Sequence, residues 1–250
     1  MLDFTVKLAI EAGAFVRYQA KTDFTVEHKG PIDLVTSVDR GSQAIIVDAI
    51  RRRYPDHAVL AEEGFQMGMA GSYLWIIDPI DGTTNFVHGL PFYCVSIAVY
   101  RDGQPFIGVC YNPFTDELFS AEAGRGAWLN GRRIGVSSTD NINDALAVTG
   151  FPYKQDHLDE ILARFARVIR RVRGVRRLGS AALDLCYVAA GRLDCFWETE
   201  LNAWDMAAGA LIAQEAGALL TAIDGSTFDA FGGTVVAANP NLHPAILELM

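Results

Sequence analysis

The stretch LWIIDPIDGTTNF, Leu74 to Phe86, decides how the rest of the chain is read. Leu74, Trp75, Ile76 and Ile77 form an apolar run with the length of a short buried strand. The run leads straight into Asp78 and Asp81, held apart by Pro79 and Ile80. Pro79 fixes φ and removes a donor, Gly82 permits a tight backbone, and Thr83 and Thr84 are hydroxyl residues of the kind that open a helix. Carboxylates a few residues apart on one turn can share a hard cation such as Mg²⁺, while the free N–H groups of a helix start face an anion. Asp-Pro and Asp-Gly taken singly are turn dipeptides after a strand. Both together, abutting a buried strand, point to a place where metal and phosphate meet.

At 250 residues and 50% hydrophobic, the chain can bury one large α/β domain or two packed subdomains. Asp3 and Glu11 interrupt an amphipathic N-terminal pattern that is wrong for a signal peptide. The most apolar long run, Met206 to Ile223, is broken by Gln214 and Glu215, so no membrane span is expected. Cys94, Cys110, Cys186 and Cys195 lack C-x-x-C spacing, which argues against a disulfide framework or zinc site and for a reducing, cytoplasmic setting. A net charge of −9 argues against nucleic-acid binding as the main business of the surface.

Phe4, Leu8, Ala12, Phe15 and Val16 at helical spacing predict a helix over 3–20. Asp33 to Thr36 reads as extended and Val38 to Arg53 as a second helix, with Asp39 or Ser37 suited to turn formation and capping. HAVLAEEG is a short strand ending in Glu62 and Glu63. Adjacent side chains on extended backbone point opposite ways, so both acids face one site only if the chain bends, as Gly64 permits. Gly68 to Ser72 is glycine-rich and reads as a flap. Residues 91–134 alternate as an antiparallel meander, making the first half α+β with helices on one side of the sheet.

From Asn141 the pattern turns to β-α-β alternation. Strands are expected near Ala145–Thr149, Val175–Leu178 and Asp194–Trp197, and helices at His157–Arg173, Ala181–Ala190 and from Asp205. The polar stretch between Val136 and Asn143 divides an α+β half, 1–138, which carries the residues expected to meet metal and phosphate, from an α/β half, 139–250, expected to complete the substrate site, and two halves that share a site must pack as one unit. Asp205 suits a helix N-terminus on ordinary grounds, and Ala207, Ala208, Gly209 and Ala210 allow close helix packing. Glu198 reads either as an exposed strand-end acid or as a ligand group. Arg164, Arg167, Arg170, Arg171, Arg173, Arg176 and Arg177 read most simply as the solvated basic face of an amphipathic helix.

Together these motifs resemble the inositol monophosphatase family of Mg²⁺-dependent phosphomonoesterases. WIIDPIDGTTNF matches its first signature, WDMAAGALIAQEAGA from Trp204 its second, and Glu62-Glu63-Gly64 its upstream acidic pair. The resemblance implies a layered α-β-α-β-α sandwich of the inositol monophosphatase and fructose-1,6-bisphosphatase type, α+β in its first half and α/β in its second. It further implies two to three Mg²⁺ per site, a cytoplasmic homodimer and lithium sensitivity. Glu62, Asp78 and the Ile80 carbonyl would hold one cation, and Asp78, Asp81 and Asp205 another. Asp39 and Thr83 would relay a proton from the attacking water, Gly82 and Thr83 would bind phosphate, and Gly179, Ser180, Ala181, Glu198 and Asp205 would contact the substrate. Glu63 and Lys29 would support the metal site.

Several acids are needed because phosphate-monoester hydrolysis requires accelerations up to ~10²¹-fold, of which one general base supplies only ~10²–10⁴. Among small-molecule phosphate monoesters, myo-inositol 1-phosphate is the first choice, since Glu198 suits a hydroxyl-rich ligand. Fructose-1,6-bisphosphate, histidinol phosphate and 3′-phosphoadenosine 5′-phosphate are alternatives for the same chemistry. Asn202 and Ala203 before Trp204 depart from other members and stand where they would line the pocket. A reading of another class makes the Arg164–Arg177 segment a surface for RNA or a transcription complex.

Overall fold

The computed structural model describes residues 1–30, 34–67, 72–152 and 156–250. Asp33 and residues 68–71 of the expected flap lie outside the described residues. Helix α1 (Leu2–Gln19) buries Leu8, Ala9, Ala12 and Val16 along one stripe, and α2 (Ser37–Arg53) buries Val38, Ile46, Val47 and Ile50 in the same way. Between them β1 (Val26–His28) pairs antiparallel with β2 (Leu34–Thr36).

The strands that follow are β3 (Ala58–Ala61), β4 (Gln66–Met67), β5 (Tyr73–Asp81), β6 (Cys94–Arg101), β7 (Gln104–Asn112), β8 (Glu117–Glu122), β9 (Ala127–Leu129) and β10 (Arg132–Ile134). They make an eight-stranded sheet in the order β10-β9-β8-β7-β6-β5-β3-β4. From β6 to β10 it is the expected antiparallel meander, β5 joins it antiparallel to β6, and β3 runs parallel to β5. Trp75 and Ile77 of β5 pack toward α1 and α2, and Leu74 and Ile76 pack toward the opposite face. A strand buried on both faces needs apolar residues at consecutive positions, which is why its sequence does not alternate. The short helix α3 (Thr83–Val87) leaves the end of β5.

The second half runs β11 (Leu146–Thr149), α4 (Leu158–Ile169), β12 (Gly174–Arg176), α5 (Ala181–Ala189), β13 (Cys195–Thr199), α6 (Ala203–Glu215), β14 (Leu219–Thr221), β15 (Thr234–Ala238) and α7 (His243–Leu247). Its five-stranded sheet has the order β12-β11-β13-β15-β14. The first three are parallel, as β-α-β units require, and β15 then runs antiparallel to both neighbours.

Helices α5 and α6 fill the space between the sheets. Ala182, Leu185, Ala208 and Ile212 share one core with Ile76, Cys110 and Phe119 of the large sheet and Phe196 and Val235 of the small one. Helices α4 and α7 cover the outer face of the small sheet through Val168 and Ile246, completing an α-β-α-β-α sandwich. Within the first half the helices do lie on one side of the sheet, and the other side is covered by the second half. Small residues set the spacing: a Cβ on Gly108 of β7 would stand 2.6 Å from the Ala208 carbonyl oxygen of α6. No helix among the described residues is long and apolar enough to cross a membrane.

Two helix boundaries differ from expectation. Helix α4 ends at Ile169 rather than Arg173, because the Arg173 N–H donates to the Ala145 carbonyl over 2.9 Å and draws the chain into the sheet. The arginine run is therefore not one helical face: Arg164 and Arg167 lie on α4, Arg170, Arg171 and Arg173 follow it, and Arg176 is on β12. Helix α6 begins at Ala203 rather than Asp205, after Asn202 as its cap.

Candidate active site

Asp78 and Asp81 are an odd number of residues apart, so on a regular strand they would face opposite sides of the sheet. They do not, because the β5–β6 register shifts between them: Asp78 pairs with Ser96, and Asp81 with Cys94. The extra residue is a bulge over Pro79 and Ile80, of which Pro79 has no N–H to give to the ladder. Asp78 Oδ1 accepts from the Ile80 N–H over 2.9 Å, and the Ser42 hydroxyl of α2 donates to the Pro79 carbonyl over 3.0 Å. Gly82 then turns the chain at φ 95°, with Gly179 and Phe92 carbonyl oxygens close against it.

Helix α6 brings Asp205 to the same place. One carboxylate oxygen each of Asp78, Asp81 and Asp205 lies within 4.8 Å of the others. Asp205 is the third residue of α6 and its Oδ2 accepts the Asn202 N–H over 2.6 Å, so one side chain serves both as helix cap and as part of the cluster. Burial, then Asp205, push Asp81 up to about 8. Burial and the Glu62 carboxylate raise Asp205 to about 7, against the Asn202 amide. Asp78 is held well above the ordinary carboxylate range by burial, then by Glu62, Asp81 and Asp205. Hard oxygen donors converging in a buried place, each disfavouring the charge of the next, fit a divalent cation.

Neighbouring elements fix these acids. The Ser180 hydroxyl donates to Asp81 Oδ2 over 2.5 Å and the Ala182 N–H donates to the same oxygen over 2.8 Å. On the other side, Thr83 Oγ1 is 3.0 Å from Asp39 Oδ1 and 3.0 Å from the Ile80 carbonyl, sharing its proton between them. Asp39 is fully buried; its Oδ2 accepts the Thr36 N–H over 2.7 Å in a capping box that starts α2 at Thr36. Burial raises the Asp39 pKa, against the hydrogen bonds from Thr36 and Thr83.

Glu62 and Glu63 follow β3, and the bend expected at Gly64 is present at φ 73°. Both carboxylates meet Lys29, whose Nζ lies 2.9 Å from Glu62 and 2.6 Å from Glu63. Burial works against the Lys29 ammonium, but the two glutamates outweigh it and hold its pKa above the usual value. Glu62 lines the cleft beside the aspartates without joining their compact group. The turn is held by Gln43 of α2, whose Oε1 accepts the Glu63 N–H over 3.0 Å.

The cleft above the cluster offers about 150 Å³ and is also lined by Gly179, Ala181, Glu198, Asn202 and Trp204. That is well below the ~300–1,000 Å³ usual for drug-sized ligands, so its occupant is small. Glu198 is buried at the end of β13; burial raises it to about 8, against Arg177. It fits because residue 150 is glycine: a Cβ there would stand 2.0 Å from Glu198 Oε1.

Three residues of the site escaped the sequence reading, and a fourth, Ser180, has a second role. Ser180 was expected on the substrate and also orients Asp81. Gln43 carried no signal beyond its place on the helix after Thr36. Arg177 is exposed, as its solvated reading has it, and also lines the cleft. Asp184 also lines it and is 1% exposed. Its signal was present: it is the one charged residue in the apolar helix AALDLCYVA.

The sandwich and its carboxylate-lined cleft define a layered α/β protein whose buried acidic cluster could hold a metal ion. The chain belongs to the inositol monophosphatase family, whose model matches residues 1–250. It is 45% identical over 99% of its length to a protein of Pseudomonas aeruginosa named Nus factor SuhB, covering 94% of that protein. It is 44% identical over its whole length to an inositol-1-monophosphatase of Synechocystis, covering 88% of it. Its fold matches the crystal structure of the extragenic suppressor protein suhB of Bartonella henselae with a TM-score of 0.95 at 39% identity, over 99% of this chain and 96% of that one.

Proposed function

We propose that the chain is an inositol monophosphatase, hydrolysing myo-inositol 1-phosphate to inositol and phosphate with Mg²⁺. The observation that carries this is the convergence of Asp78, Asp81 and Asp205 within 4.8 Å, beside the Thr83–Asp39 pair, on the floor of a small open cleft. Asp78, Asp81 and Asp205, with Glu62 and the Ile80 carbonyl, would hold two to three cations. Bound there, Mg²⁺ supplies Lewis-acid activation of water and neutralises the transferred phosphoryl group.

The chain's own groups do the rest. Thr83 Oγ1 takes a proton from the attacking water as it passes its own to Asp39 Oδ1. The Gly82 and Thr83 N–H groups meet the phosphate. Ser180 and the Ala182 amide keep Asp81 in place, while Gly179, Ala181 and Glu198 face the alcohol. Lys29 and Glu63 balance charge around Glu62. We read residues 1–138 and 139–250 as halves of one catalytic unit, active as a homodimer and sensitive to lithium. Four buried free thiols suit a reducing, cytoplasmic setting.

Phosphate release with Mg²⁺, with and without Li⁺, across myo-inositol 1-phosphate, fructose-1,6-bisphosphate, histidinol phosphate and 3′-phosphoadenosine 5′-phosphate tests the assignment. The inositol ester should give the highest kcat/KM and chelation should abolish turnover. A strong preference for one of the other three would redirect the substrate.

A second reading is favoured by the relatives named Nus factor SuhB. Arg170, Arg171, Arg173 and Arg176 are exposed and would supply a basic surface for RNA or a transcription complex. Retention of RNA at low salt, lost on Arg→Glu changes, supports it; no retention at low salt ends it.

A further inference from the structure

Asp184 Oδ1 is enclosed and has no hydrogen-bond partner, the one buried side-chain polar atom so placed among the described residues. Buried polar groups are nearly always paired, so an unpaired one calls for a cause. Asp184 is the fourth residue of α5, one turn beyond the Ser180 hydroxyl and near the Ala182 amide that fix Asp81. It lines the same cleft as Glu198, Gly150 and Arg177, near enough to Glu198 and Arg177 to feel their charges, and Gly150 lies directly against Glu198. An otherwise apolar helix thus presents one carboxyl to the cleft with its hydrogen-bonding capacity unspent.

Resting on the reading of this cleft as an inositol monophosphatase site, we propose that Asp184 is a specificity-determining residue that, with Glu198, binds hydroxyl groups of the alcohol, directly or through one water. The two carboxyls form the floor under the leaving group. Burial, then Glu198 and Asp81, hold Asp184 well above the ordinary carboxylate range, against Arg177. A carboxyl accepts from hydroxyls and, when it holds its proton, also donates to them, so the pair suits an uncharged polyol. A site built to bond hydroxyls discriminates against an analogue that lacks them, because its own buried groups are then left unpaired.

The test compares myo-inositol 1-phosphate with cyclohexyl phosphate, a ring ester without hydroxyls, in wild type, Asp184→Leu and Asp184→Asn. Leucine fills the space without polar atoms, so Asp184→Leu should match or exceed the wild-type Tm. It should raise KM for the inositol ester about tenfold, with kcat little changed, and leave cyclohexyl phosphate within about twofold. Asparagine keeps donor and acceptor and should restore KM for the inositol ester to within about threefold. Equal losses on both esters, or an unchanged KM, would overturn the assignment. Wild-type inactivity on both esters would instead sink the underlying functional reading, and this assignment with it. Independently of any variant's folding, a crystal structure of the wild-type enzyme with Mg²⁺ and inositol should place a ring hydroxyl or one bridging water within about 3.2 Å of the Asp184 carboxyl. Neither being there would overturn it.

Discussion

Thr83 Oγ1 stands 3.0 Å from Asp39 Oδ1, joining the residue that leaves the bulged strand to the first turn of α2. The same aspartate accepts the Thr36 N–H with its other oxygen, so its direction is fixed from two sides. Asp39→Asn keeps the shape and the acceptor for Thr36 but cannot take the Thr83 proton. We expect kcat to fall by about 10²–10⁴ with KM within a few-fold and the fold intact by circular dichroism. A kcat within threefold of wild type would remove Asp39 from the relay.

The Ser180–Asp81 bond makes a prediction that spans the two halves. Ser180 caps α5 and holds a carboxylate of β5. Ser180→Ala should cost about 1 kcal/mol of stability through the lost cap. It should also weaken Mg²⁺ activation by about 10–100-fold, because groups that orient metal-holding carboxylates tune their affinity. Mg²⁺ titrations of activity measure the second effect and thermal melts the first. A stability loss without any change in the Mg²⁺ requirement would leave Ser180 as a cap alone.

The acid cluster makes the metal-free protein sensitive to pH. Asp81 and Asp205, at about 8 and about 7, keep their protons in the folded chain across a range where the unfolded chain has released them. Protonation therefore favours the fold: this contribution is complete below about pH 4 and is lost as pH rises through 7 to 8. In chelator, Tm should fall by on the order of 5 °C between about pH 6 and pH 9. A divalent cation needs the carboxylates ionised, so Mg²⁺ should raise Tm more at the alkaline end and release protons on binding. A metal-free Tm that rises over this range would contradict the cluster's electrostatics.

The spacing of the central layers rests on small residues, and Gly108 is the tightest of these contacts against α6. Gly108→Val must push α6 away from β7 and should destabilise by about 1–3 kcal/mol, read from denaturant unfolding. Because α6 carries Asp205, activity should need more Mg²⁺ as well. An unaltered midpoint would show that α6 has room to spare.

Much of this was legible beforehand, and the reasons for the remainder are physical. The β5 run and the acids around it were plain because a doubly buried strand must be apolar throughout. That Asp78 and Asp81 share a face was not derivable from spacing, which alone puts them on opposite sides; the bulge depends on the register with β6, a partner thirteen or more residues further on. Helix α4 was read too long because periodicity continues past Ile169, and only the Ala145 carbonyl, from another strand, ends it. Asp205 reads as either cap or ligand group, and in the structure it caps α6 while standing in the acid cluster. Asp184 was missed because a single acid within a helix carries no period, although a charge on a helix buried on all sides is itself a sign of an unmet need.

The account stands or falls on carboxylates that gather divalent cations, and Asp81→Asn tests this most directly. Phosphate release from myo-inositol 1-phosphate with saturating Mg²⁺ should drop to a few per cent of wild type or less, while circular dichroism and Tm report a folded chain. Near wild-type release by the folded variant would contradict it.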